Sequence, residues 1–175
     1  MKLSISALLF LSILQRGFPQ TYNVEIHNSF FKDNPYNNQQ LTLVSKNALS
    51  ILVMWDNNQL LINGEPGHLN KIKQRVKVFI SNPKQEICLP MSPDSAFVVV
   101  RYDLDADYTF FESIYIEIMA AYQEVRNEAA ISRYGRDYVS LNHSKKKRID
   151  KLYPIKLVDA QAATVEYLPN GFDCY

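Results

Sequence analysis

Apolar and polar positions along this chain repeat with two different periods, and the changes of period mark out its elements. In "ALSILVMWDNNQLLINGEP", residues 49–55 and 59–63 are β-rich runs flanking Asp56, Asn57 and Asn58, which tolerate tight turns and positive φ. The stretch predicts a hairpin. Its first run is apolar at nearly every position, the pattern of a strand that is central in its sheet or buried on both faces. In "HLNKIKQRVKVFISNP" the period lengthens: Leu69, Ile72, Val76, Phe79 and Ile80 recur at helical spacing, while Lys71, Lys73, Arg75 and Lys77 fill the other face. Asn82-Pro83 stops this helix, and "AFVVVRYDL" at 96–104 predicts another strand.

The most regular segment comes next. Thr109 and Glu112 have the spacing of a capping box, and Gly135 supplies a stop. Between them Phe111, Tyr115, Ile118, Tyr122, Val125 and Ala129 form one apolar seam. A helix of ~25 residues spans roughly 37 Å. That is more than a small sheet needs, so its last turns are expected to project beyond the sheet. Glu112, Glu117, Glu124, Arg126, Glu128 and Arg133 fall off the seam and read as solvent-facing, which makes this a core helix rather than a catalytic one. A weaker helix carries Leu141, Ile149 and Leu152 and ends before Pro154; "YPIKLVDA" then suggests a short strand, and "ATVEYL" another.

The order β-β-α-β-α-(α)-β predicts an α/β two-layer sandwich: a small mixed sheet with two or three helices on one face. Residues 47–175 are expected to form this domain. Residues 21–46 are polar and asparagine-rich without a sustained period, and read as a linker.

The first 20 residues change the picture of compartment. "MKLSISALLFLSIL" places Lys2 before an apolar run over 3–14. Twelve helical residues cover roughly 18 Å, against ~30 Å of bilayer core. The run reads as a secretory signal peptide, with a short or truncated membrane anchor as the other reading. At 175 residues and 47% apolar, the chain has enough material for one real core, and its formal charge of +1 lacks the basic excess of a nucleic-acid-binding protein. Two cysteines, Cys88 and Cys174, suit an oxidising compartment. They form either a bridge, closing a loop of about 86 residues and contributing ~4 to 5 kcal/mol, or two unrelated thiols.

Candidate chemistry is sparse. His27, His68 and His143 are scattered, and no nucleophile elbow or phosphate loop occurs. No metal or cofactor is expected. Asp103, Asp105 and Asp107 alternate like calcium ligands, but Tyr108 occupies the position of the EF-hand glycine, so the acids read instead as favouring the N-terminus of the long helix. The run of Lys145 to Arg148 reads as a solvated helix face, with contact to anionic cell-wall or lipid groups as the alternative.

Taken together, "ILVMWDNNQLLINGEP", the basic helix ending in "FISNP", the Tyr122-x-Glu124-x-Arg126-x-Glu128 run of the long helix, and the Tyr153-Pro154-Ile155-Lys156 strand resemble the extracytoplasmic domain of the ExbD/TolR biopolymer-transport proteins. The resemblance covers about residues 47–160. It implies a non-enzymatic component of a proton-driven energy-transduction complex, periplasmic or associated with the inner membrane. The implied partners are an ExbB/TolQ-like membrane pentamer and a TonB/TolA-like protein, with the periplasmic domains paired as a homodimer.

In that family coupling depends on an acid in the transmembrane helix, where ionisation is costly and a proton can be taken up and released. Here the first acidic residue is Glu25, beyond the apolar run. Either the start is truncated or remodelled, or the chain is a secreted relative that kept the domain without the motor. Residues 153–160 are expected at a sheet edge, with Tyr153, Ile155 and Leu157 contributing to dimer or partner contact; a last core strand is the competing reading. The alternative function is a secreted or periplasmic module that binds a peptide or glycan.

Overall fold

The computed structural model describes residues 21–25, 40–54, 59–102 and 108–161. Among these residues the main sheet has five strands: β3 (Ala48–Val53), β4 (Leu60–Ile62), β5 (Glu65–Gly67), β6 (Phe97–Tyr102) and β7 (Leu157–Gln161). Their spatial order is β5-β4-β3-β6-β7, with β5, β4 and β3 antiparallel and β3, β6 and β7 parallel. The helices are α1 (Leu69–Ser81), α2 (Tyr108–Tyr134) and α3 (His143–Leu152). This is the mixed two-layer α/β sandwich that the periodicity predicts.

The apolar run at 49–55 becomes the central strand, where sheet neighbours on both sides demand apolar residues. Leu49, Ile51 and Val53 turn toward the helices beside Val98, Val100 and Tyr102 of β6, in register across the parallel pair. Ile72, Val76, Phe79 and Ile80 of α1 and Phe111, Ile114, Ile118, Ala121 and Tyr122 of α2 close the core from above. At roughly 25 cal/mol per Å² of apolar area, each such large side chain contributes about 1.5 to 3 kcal/mol. Core packing therefore decides where the helices lie.

Several local expectations are corrected. The hairpin strands pair as predicted, with residues 55–58 of its turn lying outside the described ones. A second hairpin, β4-β5, was not read from the sequence. Asn63 and Gly64 have φ values of 54° and 85°, the paired positive values of a two-residue hairpin turn. Residues 21–46, expected as a linker, contain the antiparallel strands β1 (Thr21–Glu25) and β2 (Gln40–Val44), in which Tyr22 pairs with Leu43 and Val24 with Leu41. Period-2 alternation in two five-residue runs was hidden by the asparagine-rich stretch between them.

Thr109 lies inside α2 rather than ahead of it. The helix already includes Tyr108, and Ser113 donates back to the Thr109 carbonyl at 2.9 Å. The seam also broadens, since Ile114, Ala121 and Ala130 are buried while Tyr115 and Ala129 lie at its margin. Gly135 ends the helix as expected, with φ of 64° and its N–H donating to Ile131 at 2.8 Å. The last turns of α2 do run past the main core, and there Ala130, Leu141 and Ile149 make a second, small apolar cluster with α3.

Candidate partner-docking edge

Among the described residues the sheet has two outer strands. On one side β5 is three residues long, exposed at Glu65 and Pro66, and interrupted by a proline that offers no N–H. Short length, a charge and a proline all discourage strand addition. On the other side stands β7, five residues long and fed by the Tyr153-Pro154-Ile155-Lys156 segment.

That segment is held from three directions. Arg126 of α2 donates to the Tyr153 carbonyl through Nε at 3.0 Å and Nη2 at 2.8 Å. Its Nη1 lies 3.1 Å from Asp150 Oδ1, and the same oxygen accepts the Tyr138 hydroxyl at 2.7 Å. Burial, the bond to Asp150 and the Asp150 charge together push the Tyr138 hydroxyl above its ordinary pKa. The Lys156 N–H donates to the Tyr122 hydroxyl at 3.2 Å, and its carbonyl accepts from Val98 at 2.9 Å. The Lys156 ammonium reaches the Asp94 carbonyl and carboxylate and sits 4.9 Å above the Phe97 ring. The charge-assisted bonds from Arg126 are worth about 1.5 to 3 kcal/mol each, and the pair to the exposed Asp94 carboxylate less, so the approach to β7 is held chiefly by Arg126.

The three residues expected at a contact do not behave alike. Tyr153 and Ile155 are half-buried against the core margin, whereas Leu157 points into the core itself. Leu157, Val158 and Asp159 are 6%, 0% and 0% exposed, so even main chain at this rim is shielded within the chain. Strand addition at this rim would first require it to open. Asp159 lies beside Tyr102 on the core face, and burial first, then the Asp159 charge, raises the Tyr102 pKa.

A cleft of about 430 Å³ opens between α1, the Asn63 turn and the loop over 84–89. Leu49, Phe79 and Leu89 give it an apolar lining, and Arg75, Lys84 and Glu86 supply charge. Asn82 builds the loop wall. In left-handed conformation at the end of α1, it donates to the carbonyls of Glu86 and Pro90, both at 3.0 Å, and accepts from the Glu86 N–H at 2.8 Å. Cys88 of the same loop is disulfide-bonded; Cys174 lies outside the described residues.

Among the described residues no three His, Cys, Asp or Glu side chains converge as metal ligands. His27 and the aspartates at 103, 105 and 107 fall outside them, and His68 and His143 are exposed at the starts of α1 and α3. Arg126, read from its period as solvent-facing, is the residue the sequence analysis missed. It is i+4 from the buried Tyr122, on the margin of the seam, which was the available signal. Glu124 and Glu128 are also engaged, accepting from Lys77 at 2.5 and 2.6 Å and tying α2 to α1. No protein-family model and no curated protein matches this chain. Among the described residues, no helix is long and apolar enough to cross a membrane.

Proposed function

We propose that the domain is a non-enzymatic docking component of an ExbD/TolR-like energy-transduction complex, acting outside the cytoplasm beside an ExbB/TolQ-like pentamer and a TonB/TolA-like protein. The observation that carries this reading is the order of elements, with a Tyr-Pro segment leading into an edge strand parallel to its neighbour. The resemblance implies that order and a strand opening on Tyr-Pro. In this reading β7 pairs with a second copy or a partner strand once its rim opens, and Arg126 keeps the strand in register meanwhile. Main-chain bonding would supply affinity, and Tyr153 and Ile155 at the margin would supply selectivity.

Co-purification with an ExbB/TolQ-like pentamer tests the assignment, and its absence under conditions that keep such a pentamer intact counts against it. Ile155→Pro tests the edge, because residue 155 precedes β7 and its change leaves the strand's own ladder bonds in place. Loss of dimerisation or partner capture with an unchanged thermal melt is the expected result. Unaltered pairing would remove the edge from the proposal.

The cleft beside α1 favours a second reading, a periplasmic or secreted module binding a peptide or glycan. An apolar floor with a few charged groups at the mouth is the usual character of such sites. Arg75→Ala would then weaken binding of the ligand, whereas under the first reading it leaves partner capture intact.

A further inference from the structure

The charge of this chain is close to balanced overall, but the fold distributes it unevenly. Residues 131–152 hold seven basic side chains, Arg133, Arg136, Lys145, Lys146, Lys147, Arg148 and Lys151, against Asp137 and Asp150, giving +5 in a chain whose total is +1. This segment is the projecting tip of α2 together with α3, held on its own small cluster. Asp150 is turned to Arg126 and Tyr138 and does not offset the outward charges. On α3, Ile149 is buried while Lys147, Arg148 and Lys151 are exposed.

Apolar side chains accompany the charges. Val139 is 77% exposed and Ile131 48% exposed on the same projection. Apolar groups gain nothing against phosphates alone, but they are favourable at the boundary between headgroups and acyl chains. The tyrosines of the lobe are not displayed as stacking platforms for nucleotide bases. Tyr134 and Tyr138 are half-buried, with Lys145 and Lys146 placed 5.0 and 5.8 Å from their ring centres.

We propose that the α2 tip and α3 form a docking surface for an anionic lipid bilayer, with Lys147, Arg148 and Lys151 meeting headgroup phosphates and Val139 entering the interface. The surface orients the domain against a membrane, and it stands whether or not the ExbD/TolR-like reading is correct.

The test is sedimentation of the full chain with phosphatidylcholine vesicles, with and without phosphatidylglycerol, at low and physiological salt. The apolar run at 3–14 adds adsorption to both kinds of vesicle, so the difference between them is the readout. Wild type partitions more strongly onto the anionic vesicles, and added salt reduces the difference. At the usual strength per basic residue near an anionic surface, Lys147→Glu, Arg148→Glu and Lys151→Glu together lower the anionic partition by roughly a hundredfold or more and leave the zwitterionic partition unchanged. Val139→Ser lowers the anionic partition several-fold and adds a readout at a single exposed site. Equal partition of wild type onto both vesicles, or an unchanged triple variant, would overturn the proposal. So would a DNA duplex that binds the lobe as tightly as the anionic vesicles at the same salt, since that would assign the surface to polyanions in general.

Discussion

The two halves of α2 live in different environments although they belong to one uninterrupted helix. Up to Val125 its inward face is pressed onto a sheet by Ile114, Ile118, Ala121 and Tyr122, all at most 1% exposed. Beyond that point only Ala130 is fully buried, against Leu141 and Ile149, and polar contacts through Arg126, Asp150 and Tyr138 take over. The first half is held by apolar area, which is insensitive to geometry and salt. The second half is held by a small cluster and a few directional bonds, and it leads into the segment 131–152, where seven basic residues face two acidic ones. The sheet supports the fold, and the projection is free to specialise in contact.

The largest effect expected from breaking this contrast is in the main core. Ile118→Ala removes a fully buried side chain and costs about 2 to 5 kcal/mol of global stability, measured by denaturant unfolding. Ile149→Ala in the outer cluster is expected to shift the global midpoint less and to open α3 locally. Next comes Arg126→Ala, which leaves the Tyr153 carbonyl and Asp150 without their charged donor and costs about 1.5 to 3 kcal/mol. Gly135→Ala has room for its methyl but must hold φ at 64°, a loss of about 1 kcal/mol visible in the thermal midpoint.

The smallest effect concerns the ion pair that joins α1 to α2. The hydrogen bond from Lys77 lowers the Glu124 pKa, so its contribution is complete above the ordinary glutamate range and is lost as pH falls through the lowered value. Bonds to Glu124 and then Glu128 raise the Lys77 pKa, so that contribution is complete below the ordinary lysine range and is lost as pH rises through the raised value. With both groups partly exposed, Glu124→Gln is expected to flatten the acid limb of the stability profile by only about 0.2 to 1 kcal/mol.

Periodicity made the helices and the central strand readable in advance, because burial on one face forces apolar residues to recur at the period of the element. Leu49 through Val53, Ile72 through Ile80 and the α2 seam all follow that rule. Where one exposed edge or a local turn decides the structure, the rule fails. β5 has no apolar side chain to report it, although Asn63-Gly64 was a usable turn signal. The role of Arg126 depends on Tyr153, 27 residues later; spacing within α2 places it at the margin of the seam but does not name that partner. The run Lys145 to Arg148 was readable as a basic face, but its joining with Arg133 and Arg136 on one projecting lobe required the fold.

Hydrogen exchange measured along the chain tests the division of α2 most directly. Amides of the helix facing the sheet, together with those of β3 and β6, should exchange only through global unfolding. Those of α3 and the final turns of α2 should exchange through a lower-energy opening that Ile149→Ala accelerates without altering the rest. Uniform protection from Tyr108 to Leu152, changing together in that variant, would contradict it.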